Sequence, residues 1–237
     1  MKIPISKRLL RCAELVPEGA RVADIGTDHG YLGLWLLESG RAAHVIAADL
    51  RPQPLQTARA HAAKFGFGGQ IEFRLSDGLA EIGPDEADTI VCAGMGGDLI
   101  VEILSACPWL REGTHTLILQ PQSGGQALRA WLGAHGFAID RELPVADGKF
   151  LYTVLRARPG QGIALTPGQQ YVSPWLLESG DALVGPYMAR IERALLAAVD
   201  GLTHAEHPRP ERLAYYAQAL REVEEMRRNY ENCTGDL

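Results

Sequence analysis

The feature that most constrains the fold is an alternation of short apolar runs with helical stretches over residues 1–160. Runs such as VIAA at 45–48 and TLIL at 116–119 are apolar at successive positions, which is typical of strands covered by helices on both faces. Strands alternating with helices predict right-handed βαβ units and a doubly wound parallel sheet. The predicted strands are 20–25, 44–49, 71–75, 89–93 and 114–120, and the predicted helices are 31–39, 54–65, 99–106 and 126–135.

Two further β-type runs, 137–143 and 150–156, are joined by a turn-rich segment at 145–149. A connection this short cannot make a parallel crossover, so we expect these strands to pair antiparallel. Residues 1–160 are therefore predicted to form a Rossmann-like α/β domain, a doubly wound seven-stranded sheet with a terminal antiparallel hairpin. The usual nicotinamide-binding sheet has six parallel strands and no such hairpin.

Residues 161–237 are predicted to form a linker and a small C-terminal α-helical domain. The segment 158–186 is rich in Pro, Gly and Gln and has no clear period. Two apolar patterns with alternating spacings of three and four follow, at 188–202 and 213–230, on either side of HPRP at 207–210. They indicate two helices joined by a short loop, with a coiled-coil-like seam.

Composition excludes several classes of protein. The four cysteines are scattered without a Cys-x-x-Cys pair, so neither a disulfide scaffold nor a metal site is expected. No stretch approaches the ~18 uncharged apolar residues of a membrane helix, and the first residues do not lead into the apolar run of a signal peptide, so we expect a cytoplasmic protein. The net charge of −6 argues against indiscriminate binding to nucleic acid but permits a local basic patch.

The most specific motif is DIGTDHGY at 24–31, between the first strand and the first helix. This is the ligand-binding edge of a doubly wound sheet, where Gly26 lets a ligand approach the backbone. The spacing is not the dinucleotide pattern G-x-G-x-x-G, because residue 28 is Asp, whose carboxylate would repel a pyrophosphate. S-adenosylmethionine fits better, since it carries positive charge and no phosphate.

Acids after successive strands are predicted to meet at this edge. Asp49 ends the second strand, where a carboxylate can accept from both ribose hydroxyls, and Asp77 follows the third, where it can accept from an adenine amino group. Any one of these acids could instead be a helix cap or a turn residue, but their common position favours a cofactor site. The predicted cofactor-binding residues are Asp24, Gly26, Thr27, Asp49, Leu50, Asp77, Gly78, Ala93, Gly94 and Met95.

Substrate contacts are predicted from three further segments. The glycines of AGMGG at 93–97 indicate either a tight turn or backbone that lines the space between cofactor and substrate, and we assign Gly96 and Gly97 to the substrate side. Gln120 offers an amide at the same edge. Lys7, Arg8 and Arg11 share one helical face in an N-terminal stretch without acids, which would bind phosphates in a salt-dependent manner.

These motifs resemble the bacterial tRNA (adenine(22)-N1)-methyltransferases. The resemblance rests on segments 24–32, 93–97 and 117–121 and continues through PWLL at 174–177 and GPY at 185–187, so it covers nearly the whole chain. Most class I methyltransferases have glycine where this chain has Asp28, and an acid followed by a histidine is similar to this family's mark. Thr27, Gly30 and Gly33 stand where Ser, Ala and Pro are expected.

The resemblance implies methyl transfer from S-adenosyl-L-methionine to N1 of adenine 22 in the D-loop region of tRNA, with S-adenosyl-L-homocysteine as product. Because N1 has a lone pair and no proton, no base is needed, and we predict that Asp28 stabilises the cationic product. Tyr31 could receive an unstacked adenine or pack on its helix. His29 could orient Asp28, contact substrate or make only a local hydrogen bond. We expect a monomer or weak homodimer.

Three other functions stay open from the sequence. The first is a class I methyltransferase that acts on a different RNA, a small molecule or a protein. The second is a non-catalytic module that binds S-adenosylmethionine or RNA, which the retained Asp28, Asp49 and Asp77 disfavour. The third is a nicotinamide oxidoreductase, disfavoured by the missing glycine motif and the terminal hairpin.

Overall fold

A computed structural model describes residues 2–207 and 209–234; Pro208 of the predicted break between the last two helices, and residues 235–237 of the predicted C-terminal domain, lie outside the described residues. Seven strands form one sheet: β1 (Ala20–Ile25), β2 (Ala42–Asp49), β3 (Ile71–Leu75), β4 (Thr89–Gly96), β5 (Thr116–Ser123), β6 (Phe137–Asp147) and β7 (Phe150–Pro159). Their order is β3-β2-β1-β4-β5-β7-β6.

The helices are α1 (Lys7–Leu15), α2 (Tyr31–Glu38), α3 (Pro52–Phe65), α4 (Gly97–Ser105), α5 (Trp109–Glu112), α6 (Gly125–Ala134), α7 (Pro167–Tyr171), α8 (Pro174–Glu178), α9 (Val184–Thr203) and α10 (Pro210–Thr234). None of those helices, over the residues described, combines the length and apolar character needed to cross a membrane.

The sheet confirms the predicted topology. β1 pairs parallel with β2 and β4, β2 with β3 and β4 with β5, whereas β7 pairs antiparallel with both β5 and β6. The strand order reverses between β1 and β4, so the loops that follow these strands diverge and open a crevice at their carboxyl ends. That crevice is where the motifs of 24–31 and 93–97 meet.

The successive apolar residues of the strands bury both faces of the sheet. Ile90 belongs to one apolar cluster and its neighbour Val91 to the opposite one, and Leu117 and Ile118 divide in the same way. All four side chains are fully buried. The predicted coverage by helices on both faces is therefore present, and the sheet is a rigid base for the loops at its edge.

The C-terminal helices have an apolar cluster of their own. Met188 and Leu195 of α9 pack with Ala219 and Val223 of α10, and Leu176 of α8 joins them. The two predicted long helices are confirmed. The short helices α7 and α8 were not predicted, although both begin with a recognisable capping signal, a side-chain cap from Thr166 or Ser173 followed by Pro at the first helical position.

A buried polar network joins the sheet to these helices. Arg129 of α6 donates to Glu142 of β6 through Nε at 3.0 Å and through its terminal nitrogen, and also to the Thr153 hydroxyl at 2.9 Å. The Ser173 hydroxyl donates to the same carboxylate at 2.5 Å, and Arg129 donates to the Gln170 carbonyl at 2.9 Å. Both charges are therefore compensated, which is the condition for burying them.

Candidate active site

The turn after β1 is held in a conformation that points Asp28 into solvent. Gly26 and Gly30 have φ of +75° and +73°, and Asp28 has φ of +48°. The N–H groups of Gly26 and Thr27 both donate to the Ala48 carbonyl, at 2.9 and 3.0 Å, which ties the turn to β2. Aspartate tolerates this left-handed region better than most residues. The turn therefore presents a carboxylate whose side chain is 67% exposed.

Asp24, four residues before Asp28 in the chain, lies in a very different environment. Its side chain is buried at the end of β1 and accepts a hydrogen bond of 2.7 Å from the Thr27 hydroxyl. The pKa of Asp24 is raised to about 6, mainly by burial and in small part by the charge of Asp49, while the hydrogen bond from Thr27 and the charge of Arg8 oppose the rise. An acid in this state gains from any cation placed beside it.

Two adjoining cavities share Gly26, Asp28, Ala93 and Gly94 in their walls. The cavity of about 340 Å³ is lined by the predicted cofactor residues Gly26, Asp49, Leu50, Asp77, Gly78, Ala93, Gly94 and Met95, together with Arg51 and Leu99, which sequence reasoning missed. The cavity of about 360 Å³ is lined by Arg8, Asp24, Thr27, His29 and Tyr31, by Gln122, whose amide the sequence also places at this edge, and by Pro4, which sequence reasoning missed. The structure thus brings all ten predicted cofactor residues to one edge.

The positions of Asp49 and Asp77 are compatible with both interpretations from the sequence, a cofactor-binding acid and a turn residue. Asp49 is nearly buried, and its Oδ1 accepts from the Arg51 N–H at 2.9 Å, as a turn residue does. Asp77 is exposed in the turn after β3. Leu50 is 63% exposed beside them. Carboxylates next to an open apolar surface suit a ligand that combines sugar hydroxyls, an aromatic ring and positive charge.

An aromatic cluster borders the second cavity. The rings of Tyr31 and His61 stack at 4.7 Å with 15° between their planes. His61 Nδ1 lies 2.9 Å from the His29 carbonyl, which can only accept, so Nδ1 is the donor there, and Nε2 lies 3.3 Å from the Tyr31 hydroxyl oxygen. His29 lies 3.4 Å from Asp28. Sequence reasoning missed His61, because a lone histidine on α3 carries no motif.

Comparison with known proteins agrees with this architecture. Residues 5–155 match the family described as "Methyltransferase domain". The tRNA (adenine(22)-N(1))-methyltransferase of Bacillus subtilis (strain 168) is 37% identical over 195 residues, which are 82% of this chain and 79% of that protein. The chain belongs to the tRNA (adenine(22)-N1)-methyltransferase family. The predicted family membership is thereby confirmed.

Solved structures of related methyltransferases have the same fold over nearly their whole length. The B. subtilis m1A22 tRNA methyltransferase TrmK superposes with a TM-score of 0.84 at 30% identity, covering 95% of this chain and 100% of that one. The putative tRNA (m1A22) methyltransferase Sp1610 of Streptococcus pneumoniae, solved in complex with S-adenosyl-L-methionine, gives 0.81 at 29% identity and covers 94% and 100%. The C-terminal helices are therefore part of the similarity.

In this methyltransferase Gln120 is fully buried behind the site. Its Oε1 accepts from Arg8 at 2.7 Å and from the Gly94 N–H at 3.1 Å, while its Nε2 donates to the Pro121 carbonyl at 3.0 Å. The predicted direct contact between Gln120 and substrate therefore needs correction. A side chain without exposed surface cannot reach a bound RNA, and in the structure it fixes the position of Arg8 and of the glycine backbone.

The predicted N-terminal patch is divided in the methyltransferase. Arg8 lines the site, whereas Lys7 and Arg11 line a separate cavity with Glu14. The expectation of a patch free of acids is wrong. Arg11 pairs at 2.8 Å with Glu14, three residues further along the same helix, and at 3.0 Å with Asp181, which the fold brings back onto α1.

Gly96 and Gly97 are placed where the tight-turn interpretation applies. A Cβ on Gly97 would lie 2.5 Å from the Gly124 carbonyl oxygen, so only glycine lets the start of α4 approach the loop before α6. Gly96 faces Ser123. Neither residue lines the two cavities of the methyltransferase site.

Among the residues described, no cluster of His, Cys, Asp and Glu has the composition to hold a metal ion.

Proposed function

We propose that this protein transfers a methyl group from S-adenosyl-L-methionine to N1 of adenine 22 in the D-loop region of tRNA. The observation that carries the proposal is the position of Asp28. Its carboxylate lies in the wall shared by the two cavities, where a cofactor in one and a base in the other would meet. Relatives that match most of this chain have names that specify the same tRNA position.

The first cavity fits the cofactor by its donor and acceptor chemistry. Asp49 would accept from the ribose hydroxyls and Asp77 from the adenine amino group, with Leu50 against the base. Glycine at position 26 leaves space in the cavity, because a Cβ there would lie 3.0 Å from Met95 Cε. When bound, S-adenosylmethionine supplies a methyl group on a positively charged sulfur. The buried acid Asp24 stabilises that positive charge through space.

Asp28 acts on the charge that develops on the substrate. Methylation of N1 makes the adenine cationic, and a carboxylate already fixed beside it stabilises that charge without reorganising. The left-handed turn supplies this fixed position, and His29 at 3.4 Å orients the carboxylate. The remaining contribution of the chain is alignment, which holds the base in line with the group it attacks.

Tyr31 is the proposed surface that receives the unstacked adenine. One of its faces is covered by His61, and its hydroxyl is held by the same residue. A ring fixed in this way loses little rotational freedom when a base packs on its other face or edge. Bases in folded RNA must leave their stack before an enzyme can reach N1.

A labelled-methyl transfer assay on unmodified tRNA transcripts tests the proposal. The wild-type transcript is expected to accept the methyl group, and a transcript with guanine in place of adenine 22 is expected not to. Equal labelling of both transcripts would retain tRNA methylation and refute the position. Absence of labelling in both, with the cofactor still bound, would refute tRNA as the substrate.

We further propose that Arg8 contacts RNA and that Lys7 and Arg11, which line a separate cavity with Glu14, contribute less to RNA binding. The division into domains at 1–160 and 161–237 is supported by the separate apolar cluster of the C-terminal helices. A monomer or weak homodimer in the cytoplasm, with no metal requirement, completes the proposal. Sedimentation of the purified protein would test its oligomeric state.

A further inference from the structure

A third cavity lies between the sheet and the C-terminal helices. Its walls come from the end of β5, the start of α6, the beginning of β7 and helix α9. Ser123, Gln126, Tyr152 and Arg190 give it polar groups, and its volume is about 120 Å³. This space suits a small polar group better than a whole base. None of the side chains assigned above to the cofactor or to Asp28 chemistry lines it.

This cavity adjoins the proposed substrate site. Gln122 lines both the third cavity and the cavity that contains Arg8, Asp28 and Tyr31. Its side chain is exposed, so it separates the two spaces only at their rim. An RNA strand whose adenine enters the site would have a neighbouring part of its backbone within reach of the third cavity.

The charge of the cavity favours an anion. The described residues that line it include Arg129 and Arg190 but no Asp or Glu, in a protein whose net charge is −6. Arg129 is already paired with Glu142. Arg190 is exposed, lies 5.5 Å from the ring centre of Tyr187, and makes no ion pair with any described residue. Its guanidinium is thus oriented by an aromatic ring and has its charge available.

We propose that this cavity binds a backbone phosphate of tRNA next to the methylated adenosine, with Arg190 as the residue that contacts it. Arginine presents donors in a planar fork that matches two phosphate oxygens. Ser123, which also lines the cavity, carries a hydroxyl that can donate to the same anion. The inference rests on the proposed function, since it names the part of the same substrate that the C-terminal helices hold.

Arg190→Gln in the full-length protein tests the assignment, with Arg212→Gln as the matched control. Arg212 is also exposed on a C-terminal helix, also lies against a tyrosine ring, at 5.9 Å from Tyr216, and lines none of the cavities described here. The dissociation constant of a fluorescent tRNA transcript is measured by anisotropy at several salt concentrations. Thermal unfolding of both variants checks that the fold is unchanged.

Arg190→Gln is expected to weaken tRNA binding about tenfold, the size of one hydrogen bond to a charged group. The slope of log affinity against log salt should also fall by about one. Arg212→Gln should leave both quantities unchanged, and Arg190→Lys, which keeps the charge, should recover part of the affinity. Equal affinities and slopes for the two glutamine variants would overturn the phosphate site.

The same measurements separate this inference from the proposed function. Wild-type protein that methylates tRNA while the two glutamine variants bind equally would keep the function and overturn the site. Wild-type protein that binds tRNA selectively through Arg190 without methylating it would keep the site and refute the function. Failure of the wild-type protein to bind tRNA would overturn both.

Discussion

The buried Arg129–Glu142 pair and the exposed Asp28 differ in what their carboxylates bind. Glu142 and Arg129 are buried between the sheet and the C-terminal helices, and their charged atoms are satisfied by each other and by neighbouring hydroxyl and carbonyl groups. Asp28 is 67% exposed, lies in a left-handed turn and contacts only His29 among the described ion pairs. The buried pair has its partners inside the protein, whereas the exposed carboxylate of Asp28 is open to a ligand.

This difference separates stability from activity within one chain. Breaking the buried pair should damage the fold, because an uncompensated charge remains inside. Changing the exposed turn should damage chemistry and leave the fold nearly intact, because little packing depends on it. Four substitutions or titrations test this separation.

The largest effect is expected for Glu142→Gln. Loss of the carboxylate leaves the Arg129 guanidinium buried without a counter-charge, which should lower the free energy of unfolding by about 3–5 kcal/mol. Urea unfolding measures the change, and Glu225→Gln on the exposed face of α10 serves as the control. A loss no larger than that of the control would show that the network does not hold the helices to the sheet.

Asp28→Asn should lower kcat by a factor on the order of 10²–10³, as loss of a preorganised electrostatic contact does. Asparagine also tolerates the left-handed backbone, so the fold and the affinity for S-adenosylmethionine should stay near wild type. Asp28→Ala should likewise bind cofactor and lose most turnover. The measurements are single-turnover methylation and calorimetric cofactor titration, with the exposed Asp85→Asn as control. Near-normal turnover would remove Asp28 from the mechanism.

Asp24 should make the free energy of unfolding fall as pH rises. An ordinary ion-paired acid has the opposite effect, because its pKa is lowered in the folded state. The folded protein keeps this proton up to a pKa of about 6, whereas the unfolded chain releases it near 3.8. Between these values the folded state binds more protons, so the free energy of unfolding falls as pH rises, by roughly 2–3 kcal/mol in total.

The comparison of wild type with Asp24→Asn isolates this contribution, since other groups titrate alike in both. The variant should be the more stable protein at pH 7, and the difference should vanish below about pH 4. Urea unfolding across the pH range measures it. A difference that does not change with pH would contradict the raised pKa.

The smallest effect is expected for Arg11→Gln. Its partners Glu14 and Asp181 are at the surface, so its removal should cost less than about 1 kcal/mol of stability. Because these acids already neutralise its charge, tRNA affinity should barely change, whereas Arg8→Gln should weaken it. Anisotropy titrations of both variants make the comparison, and equal losses would show that Arg11 contributes as much to RNA binding as Arg8.

Local patterns were sufficient to predict the sheet and the turn at 24–31. Successive apolar residues within each strand indicate burial on both faces of the sheet, and Gly26, Asp28 and Gly30 indicate the left-handed turn. Neither feature needs contacts distant in sequence to be recognised. The short helices α7 and α8 escaped prediction because five residues are too few to show a periodic pattern, and their stability depends on the apolar cluster that they share with the long C-terminal helices.

The sequence by itself determined the topology, the cofactor edge and the family, because these depend on hydrophobic periodicity and on residues that lie together in the chain. Only the tertiary structure decided which partners meet across long separations. It placed His61 against Tyr31, buried Gln120 behind Arg8, and brought Asp181 to Arg11. Such contacts arise where helices and loops converge on the sheet, and pairs separated by 30 to 170 residues leave no periodic trace in the sequence.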